Sequence, residues 1–265
     1  MLLPEGTHTV RPECATAPVT VIVPCYNEED GLPSLLGRLR RMRKTTGSDD
    51  WHFLFVDDGS TDDTFGRLLR AARDESWIEV VRHHENLGLG AALRTGFAHA
   101  RSPVICTIDS DCTYPPEKLP ELAALINSGS EIVTASAWHP ESAAAEGSRL
   151  RIQLSRLVSA LYKLLIGQDV YTFTCLFRAY RRETIQRIRF RSNGFAAVAE
   201  MMLRGILAGC RVAEVPMRLE SRRFGESKLK VSDAVIAHVR LLVMTALMVS
   251  ARQARGLRRV GKLAN

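Results

Sequence analysis

Short runs of β-branched and aromatic residues alternate, in the first half of the chain, with longer segments whose apolar residues recur every three or four positions. The runs predict five strands, at 19–24, 53–56, 78–81, 104–108 and 131–135. The periodic segments between them predict amphipathic helices, the first of which starts near Leu32. Four strand–helix repeats in succession predict an α/β fold with a mostly parallel, doubly wound sheet and helices on both faces.

The second half of the chain has a different pattern. Residues 138–147 are rich in Ala, Glu, Pro and Gly and predict a loop, whereas 150–166 and 193–207 predict helices. Residues 170–177 and 212–219 have the composition of strands. These elements extend one domain over 18–230, preceded by an aperiodic segment, 1–17, that we expect to be disordered.

An amphipathic helix and a basic tail are predicted for 231–265. Its most apolar part, 241–251, is too short to cross a bilayer, and no run of about 18 uncharged apolar residues occurs, so no membrane-spanning helix is predicted. Arg240 and Arg252 flank the apolar part, which is typical of a helix lying in the headgroup plane of an anionic membrane surface. The alternative is a core helix followed by a solvated basic tail.

Charge and cysteine content add to this interpretation. The net charge of +7 is concentrated after Met217, which favours an anionic partner for the C-terminal end. Nucleic acid is disfavoured, because no aromatic residues are interleaved with the basic ones in the tail. The six cysteines lack zinc-type spacing, which favours free thiols in a reducing compartment, and no signal peptide is evident. We therefore expect a cytoplasmic protein, peripheral on the cytoplasmic face of a membrane.

Two carboxylates, Asp109 and Asp111, directly follow the strand predicted at 104–108. Ligands of open α/β sheets bind at the carboxyl ends of the strands, so both side chains should emerge at the binding edge. Because the two carboxylates repel each other, a divalent cation carrying substrate phosphates is a natural partner. An acidic turn without a ligand is the alternative. Glu28 and the pair Asp57–Asp58 follow two other strands, and this convergence favours the metal site.

Glycines at 88 and 90 open the helix that follows the third strand. Their spacing does not match the dinucleotide-binding fingerprint, because position 93 is Leu. Glycines here could still let the backbone approach a phosphate. A simple strand-to-helix turn explains them equally well.

Taken in order, these motifs resemble the inverting glycosyltransferases of family 2, which have the GT-A (Rossmann-like) fold. The resemblance rests on Val-Pro-Cys-Tyr-Asn-Glu at 23–28, Val-Asp-Asp-Gly-Ser-Thr-Asp-Asp-Thr at 56–64, Asn-Leu-Gly-Leu-Gly-Ala-Ala at 86–92 and Asp-Ser-Asp at 109–111. Three more segments, 177–182, 214–216 and 225–229, resemble the dolichyl-phosphate mannose synthase branch of polyprenyl-phosphate glycosyltransferases.

The resemblance implies transfer of a hexose, mannose or glucose, from a nucleotide sugar such as GDP-mannose to dolichyl or undecaprenyl phosphate. The reaction would invert the anomeric carbon and depend on Mg²⁺ or Mn²⁺. Residues 18–137 would form the nucleotide-binding half of the GT-A domain, and 138–230 the acceptor-binding half.

The resemblance also assigns roles to matching residues. The nucleotide sugar would contact Pro24, Tyr26, Glu28, Asp57, Asp58, Gly88, Gly90 and Asp109. The metal ligands would be Asp109, Asp111 and Thr113. The acceptor phosphate would contact Arg149, Arg151, Ser155, Arg222 and Lys228. The catalytic set would be Asp109, Asp111, Arg151, Arg222 and Lys228.

Three departures from the branch pattern stand out. Thr113 replaces the Gln that commonly ligates the metal, and Ala137 replaces an Arg that would contact the acceptor phosphate, a contact that Arg149 could supply. Many relatives also add membrane-spanning helices after the catalytic domain, which are not predicted here.

Other functions predict different residues. A phosphate nucleophile is already ionised at neutral pH and needs no base, whereas a saccharide or other hydroxyl acceptor would need one, with Glu200 or Asp169 as candidates. A sugar-nucleotide-forming nucleotidyltransferase would have basic residues in the first loop, but 23–30 contains no Lys or Arg. A non-catalytic membrane-surface module with a degenerate site is the remaining alternative.

Overall fold

The computed structural model describes residues 17–143, 145–221 and 231–263, with side chains through Arg252. The predicted disorder of 1–17 therefore concerns residues that, except for Ala17, lie outside the described part of the chain. The side chains of the predicted basic tail after Arg252 lie outside it as well.

A seven-stranded sheet forms the centre of the molecule. Its strands are β1 (Val19–Cys25), β2 (Trp51–Asp57), β3 (Ile78–Arg82), β4 (Val104–Thr107), β5 (Ile132–Ser136), β6 (Arg178–Arg181) and β7 (Val212–Pro216). The spatial order is β3-β2-β1-β4-β6-β5-β7. Strand β6 runs antiparallel to both of its neighbours, and the other pairs are parallel. The predicted α/β fold with a mostly parallel sheet is confirmed.

The helices connect the strands and cover both faces of the sheet. They are α1 (Leu32–Thr46), α2 (Thr64–Asp74), α3 (Leu89–His99), α4 (Leu119–Asn127), α5 (Arg149–Ile166), α6 (Arg182–Arg187), α7 (Ala196–Leu207) and α8 (Val231–Leu263), with a 3₁₀ turn at Pro116–Lys118. Helices α1, α2 and α4 pack on one face and α3, α6 and α7 on the other. Strand β1 shows the alternation directly, because Val21 and Val23 belong to the first core and Ile22 to the second.

The prediction of a strand at 170–177 is wrong. The sheet strand is β6, which begins at Arg178, and the preceding segment is irregular. Several of its backbone N–H groups bond to side chains: those of Tyr171 and Thr172 donate to the Glu214 carboxylate, at 2.7 and 3.0 Å. The apolar alternation of this segment therefore reflects burial and not sheet pairing.

The apolar part of helix α8 is longer than the stretch 241–251. Its part Val231–Arg252 is 22 residues long, has a mean hydropathy of 1.9 in its most apolar window, and has only 11% of that window buried. By length and composition this helix could cross a membrane. The prediction of no membrane-spanning helix rested on uninterrupted apolar runs, which end at Arg240, and it is not confirmed.

Candidate active site

The carboxyl ends of three neighbouring strands bring the predicted acidic residues to one edge of the sheet. Strand β1 lies between β2 and β4, with Cys25 opposite Asp57 and Ile22 opposite Thr107. The backbone N–H of Ile108 continues the pairing by donating to the carbonyl oxygen of Ile22, at 3.2 Å. The residues that follow β1, β2 and β4 therefore emerge on the same side, as the sequence predicted.

Asp109, Asp111 and Thr113 lie in the loop after β4 and line a cavity of about 520 Å³. All three are half-buried. The loop is shaped by Cys112, whose φ of 55° lies in the left-handed region, and by the Thr113 backbone N–H, which donates to the Asp111 carboxylate at 3.1 Å. With this turn, both carboxylates lie in the lining of the same cavity.

These three residues provide only oxygen donors, which suit Mg²⁺ or Mn²⁺. Among the described residues, no group of three or more His, Cys, Asp or Glu side chains could hold a metal by itself. Two carboxylates at the edge of a cavity therefore fit a metal that takes its remaining ligands from a substrate diphosphate and water.

The floor of the cavity is formed by neutral groups. Tyr114 is buried and its ring packs against Phe177, with ring centroids 5.6 Å apart. Burial raises the pKa of Tyr114 well above its usual value and raises that of Cys175 to about 12. Neither group is ionised at neutral pH, so neither adds charge to the cavity.

The other end of the cavity is apolar and lies between α5 and α8. Its apolar lining residues are Ile152, Leu154, Leu157, Val158, Leu161, Val231, Ala234, Val235, Val239 and Leu242. Several of these side chains are also largely exposed, including Leu157 at 56% and Val239 at 54%. The cavity thus runs from the two carboxylates to an exposed apolar surface on two helices.

The predicted acceptor-phosphate residues have different positions. Arg151 and Ser155, one turn apart on α5, both line the cavity with the carboxylates. Arg149, the first residue of α5, is exposed and lies outside the cavity lining. Arg222 and Lys228 lie outside the described residues. Two of the five predicted contacts are therefore brought together with the metal-site residues.

Asp57 ends β2 and is fully buried. Its carboxylate is 3.1 Å from the Nε atom of Arg82, whose guanidinium lies 4.3 Å from the centre of the Phe65 ring. Pro24 and Glu28, at the end of β1, are also buried, and Tyr26 is half-buried. These residues lie at the same edge of the sheet as the cavity, beyond its lining residues.

Asp58 has a clear structural role. Its carboxylate accepts hydrogen bonds from the backbone N–H groups of Leu87 and Gly88, at 3.0 and 2.8 Å, and lies 2.6 Å from His83 Nδ1. Three contacts of this kind fix the turn that begins α3. The resemblance implies a place for Asp58 near the nucleoside, whereas its contacts in the structure are with His83 and the neighbouring turn.

Gly88 and Gly90 are needed for close packing. The Gly90 N–H donates to the carbonyl oxygen of Asn193, at 2.5 Å, and a Cβ atom at Gly88 would lie 2.6 Å from that same oxygen. Gly88 also has φ of 91°, which disfavours other residues. The turn is therefore packed against residues 192–193. This packing explains the two glycines without a phosphate close to the backbone.

Glu200 and Asp169, the candidate bases for a hydroxyl acceptor, lie outside the cavity lining. Glu200 accepts hydrogen bonds from the backbone N–H groups of Arg191 and Ser192, at 3.1 and 2.9 Å, and from Arg204 Nε at 2.6 Å. Asp169 pairs with Lys163 at 2.5 Å. Both carboxylates are engaged in structural contacts, so neither is placed to act as a base in this cavity.

A family model named "Glycosyl transferase family 2" matches residues 20–189. The chain belongs to glycosyl transferase family 2. Its strand ends, acidic loop and mostly parallel sheet are therefore those of a glycosyltransferase, as the order of motifs indicated.

Among the relatives of this glycosyltransferase are undecaprenyl-phosphate 4-deoxy-4-formamido-L-arabinose transferases from Salmonella paratyphi B and Salmonella newport. Each is 30% identical over 214 residues, which cover 79% of this chain and 62% of the relative. The chain thus spans less than two thirds of the length of these relatives.

The fold is shared with solved structures of glucosyl-3-phosphoglycerate synthase from Mycobacterium tuberculosis. The complex with Mn²⁺, UDP and glucosyl-3-phosphoglycerate has a TM-score of 0.65 at 20% identity, covering 88% of this chain and 80% of that one. The complex with Mn²⁺ and UDP-glucose has a TM-score of 0.64 at 21% identity, covering 88% and 79%. At this identity the likeness concerns the fold, which is the predicted GT-A arrangement.

The sequence did not predict several residues of the glycosyltransferase cavity. Thr172 and Thr174 line it because the irregular segment before β6 passes beside α5, and Trp138 lines it from the loop after β5. The sequence motifs assigned none of these three residues to the site. A segment without regular structure has no periodicity that would show which side chains face a cavity.

Proposed function

We propose that this glycosyltransferase transfers a hexose, mannose or glucose, from a nucleotide sugar to a polyprenyl phosphate such as undecaprenyl or dolichyl phosphate, with inversion. The observation that carries this proposal is the shape of the cavity. It joins the carboxylates Asp109 and Asp111 to an apolar groove between α5 and α8. A ligand that fits both ends has an anionic head and a long hydrocarbon tail.

The relatives support the acceptor class. Their names give undecaprenyl phosphate as one substrate and a modified arabinose as the other. An undecaprenyl chain is a long hydrocarbon, which fits the apolar groove of this chain. The sugar is a separate matter, for which the resemblance to the mannose synthase branch favours a hexose, with GDP-mannose as the first donor to test.

Asp109, Asp111 and Thr113 would hold Mg²⁺ or Mn²⁺ together with the donor diphosphate. The solved neighbours contain Mn²⁺ with UDP or UDP-glucose, which supports a divalent cation. When bound, the metal would stabilise the charge that develops on the leaving nucleotide. Pro24, Tyr26, Glu28 and Asp57 would hold the nucleoside at the neighbouring strand ends, with Asp58, Gly88 and Gly90 supporting that side.

The chain's own residues would position two anionic groups. Arg151 and Ser155 would bind the acceptor phosphate from α5, and Arg222 and Lys228 would add positive charge from the segment before α8. The acceptor phosphate is largely deprotonated at neutral pH and attacks the anomeric carbon without a base. A single displacement of this kind inverts that carbon.

Membrane contact would be made by α5 and α8 together. Leu157, Leu161 and Leu164 on α5 and Val239, Val243 and Leu247 on α8 are all exposed. A helix that is apolar on its packed side and on its exposed side is typical of a membrane-embedded or membrane-facing helix. We propose that this surface holds the domain on the cytoplasmic face of a membrane, with the basic residues after Arg252 near anionic headgroups.

The test is transfer from labelled nucleotide sugars to undecaprenyl phosphate by the purified full chain, with Mn²⁺ or Mg²⁺ present. We expect labelled sugar in the organic phase from one donor of the panel and none when a chelator is added. Undecaprenol, 3-phosphoglycerate and a free saccharide serve as alternative acceptors. Transfer to any of these in preference to undecaprenyl phosphate would contradict the proposal.

A further inference from the structure

A chain of hydrogen bonds connects three residues on one wall of the cavity. The indole Nε1–H of Trp138 donates to Ser155 Oγ, at 3.2 Å, and Ser155 Oγ lies 2.6 Å from Thr174 Oγ1. All three side chains line the same cavity as Asp109 and Arg151. Trp138 comes from the loop after β5, Ser155 from α5 and Thr174 from the segment before β6, so three separate parts of the chain meet at Ser155.

Each of the two partners of Ser155 is held in place. The backbone N–H of Trp138 donates to Thr172 Oγ1 at 3.3 Å, and the guanidinium of Arg156 lies 5.6 Å from the centre of the indole ring. Next to Thr174, the Phe173 N–H donates to Ser159 Oγ at 3.3 Å, and its carbonyl accepts from the buried Arg178 at 2.7 Å. The wall is therefore organised before a ligand binds.

The chemistry of the groups restricts what Ser155 can offer to a ligand. An indole N–H is only a donor, whereas a hydroxyl has one proton and two acceptor lone pairs. Trp138 uses one lone pair of Ser155. If Thr174 donates to the other, the Ser155 hydroxyl has no lone pair left, and its proton is available to a ligand in the cavity that Ser155 lines.

We propose that Trp138 and Thr174 are positioning residues that make Ser155 a hydrogen-bond donor to the acceptor phosphate. A phosphate oxygen accepts hydrogen bonds and donates none at neutral pH, so a hydroxyl with filled lone pairs complements it. Trp138, which donates to Ser155, directly follows Ala137, the position where the branch pattern has an arginine. The inference rests on the proposed polyprenyl-phosphate acceptor and adds the residues that orient its phosphate.

The test is the affinity of the full chain, in detergent, for farnesyl phosphate and for farnesol, measured by calorimetry without donor. Thr174→Val removes the hydroxyl and preserves the shape, and we expect it to weaken farnesyl phosphate binding roughly tenfold while farnesol binding is unchanged. Trp138→Phe keeps the ring and removes the N–H, and a loss of roughly threefold is expected. Thr174→Ser retains the hydroxyl and should restore most of the affinity.

The decisive comparison uses Ser155→Ala as the background. If Thr174 acts through Ser155, adding Thr174→Val to Ser155→Ala should produce no further loss. A further loss would show that Thr174 contacts the phosphate itself and would contradict its action through Ser155. Unchanged affinity in Thr174→Val alone would contradict it as well. Thermal unfolding of each variant in the same detergent separates these outcomes from misfolding.

The unaltered chain tests the proposed polyprenyl-phosphate acceptor separately from the roles of Trp138 and Thr174. An unaltered chain that binds farnesyl phosphate no better than farnesol would contradict the lipid-phosphate acceptor and, with it, this inference. An unaltered chain that prefers farnesyl phosphate, with variants that bind it equally well, would contradict only the roles of Trp138 and Thr174.

Discussion

Residues 18–137, which we propose bind the nucleotide sugar, differ from residues 138–230 and α8, which we propose bind the acceptor, in the surface that they offer to a ligand. We refer to these two parts as the nucleotide-binding half and the acceptor-binding half. At the end of β2, the acidic groups are paired within the protein, Asp57 with Arg82 and Asp58 with the turn before α3. Along α5 and α8, large apolar side chains such as Leu164 and Leu247 remain exposed, at 82% and 68%. Both halves contain internal hydrogen bonds, but the acceptor-binding half also presents large exposed apolar side chains, which a soluble domain would cover.

This difference indicates which ligand each half requires. A preformed polar edge can bind a water-soluble nucleotide sugar with little rearrangement. An exposed apolar groove is stabilised only when hydrocarbon covers it, whether from a membrane or from a lipid substrate. The variants below test the two halves separately, in order of expected effect.

Replacing Asp111 by Ala should have the largest effect on activity. The cavity would lose one of the two half-buried carboxylates that we propose hold the metal, and we expect turnover to fall roughly 1000-fold or more, with folding intact. Transfer to undecaprenyl phosphate and circular dichroism of the purified variant measure the two properties. Asp49, an exposed carboxylate outside the cavity, provides the control Asp49→Ala. Near-normal turnover in Asp111→Ala would exclude the metal role.

Glu200→Ala should destabilise the fold more than it alters any one binding step. Glu200 is 1% exposed and accepts from two backbone N–H groups and from Arg204. Removing it leaves buried donors without a partner, so we expect a loss of roughly 3 kcal/mol in the free energy of unfolding. Chemical denaturation measures this loss. The exposed Glu183 on α6 provides a matched control, and an equal loss in Glu183→Ala would contradict this account.

A charge on the apolar surface should weaken membrane binding. Leu164→Glu places a carboxylate at an exposed position of α5, and we expect roughly tenfold weaker binding to phospholipid vesicles. Leu69 on α2 is also an exposed leucine, at 37%, but it lies in the nucleotide-binding half. Leu69→Glu should therefore bind vesicles like the unaltered chain. An equal loss of vesicle binding in both variants would contradict the proposal that the membrane contacts the acceptor-binding half.

The smallest expected effect concerns pH and the nucleotide-binding half. Partial burial raises the pKa of Glu117, but the hydrogen bond from Arg38 and other nearby groups lower it more, so it lies below its ordinary value. A carboxyl whose pKa is lower in the folded state stabilises the fold above its ordinary pKa, and this stabilisation is lost as the pH falls through the lowered value.

Glu117→Gln should therefore be less stable than the unaltered chain by about 0.5 kcal/mol at pH 7, a small effect because Glu117 is partly exposed and screened by solvent. The difference should disappear in strong acid. Unfolding free energies at several pH values measure it, and a difference that grows toward acid would show the opposite sign.

The two halves also differ in how well the sequence predicted them. In the nucleotide-binding half, strands of β-branched residues ending in acidic loops determine both the sheet and its binding edge, so the convergence of β1, β2 and β4 was predictable. In the acceptor-binding half the prediction of a strand at 170–177 was wrong, because the segment pairs with Glu214 and Ser159 side chains. Long-range contacts of this kind leave no periodic signal in the sequence.

The most direct test of the account is to map where the acceptor lipid binds. A photoreactive polyprenyl phosphate, cross-linked to the full chain and located by mass spectrometry, should label the residues of α5 and α8 that line the groove, such as Leu157, Leu161 and Val239. Unlabelled undecaprenyl phosphate should compete for this labelling, and undecaprenol should compete less. Labelling confined to other surfaces, or equal competition by the alcohol, would contradict a lipid-phosphate site between these two helices.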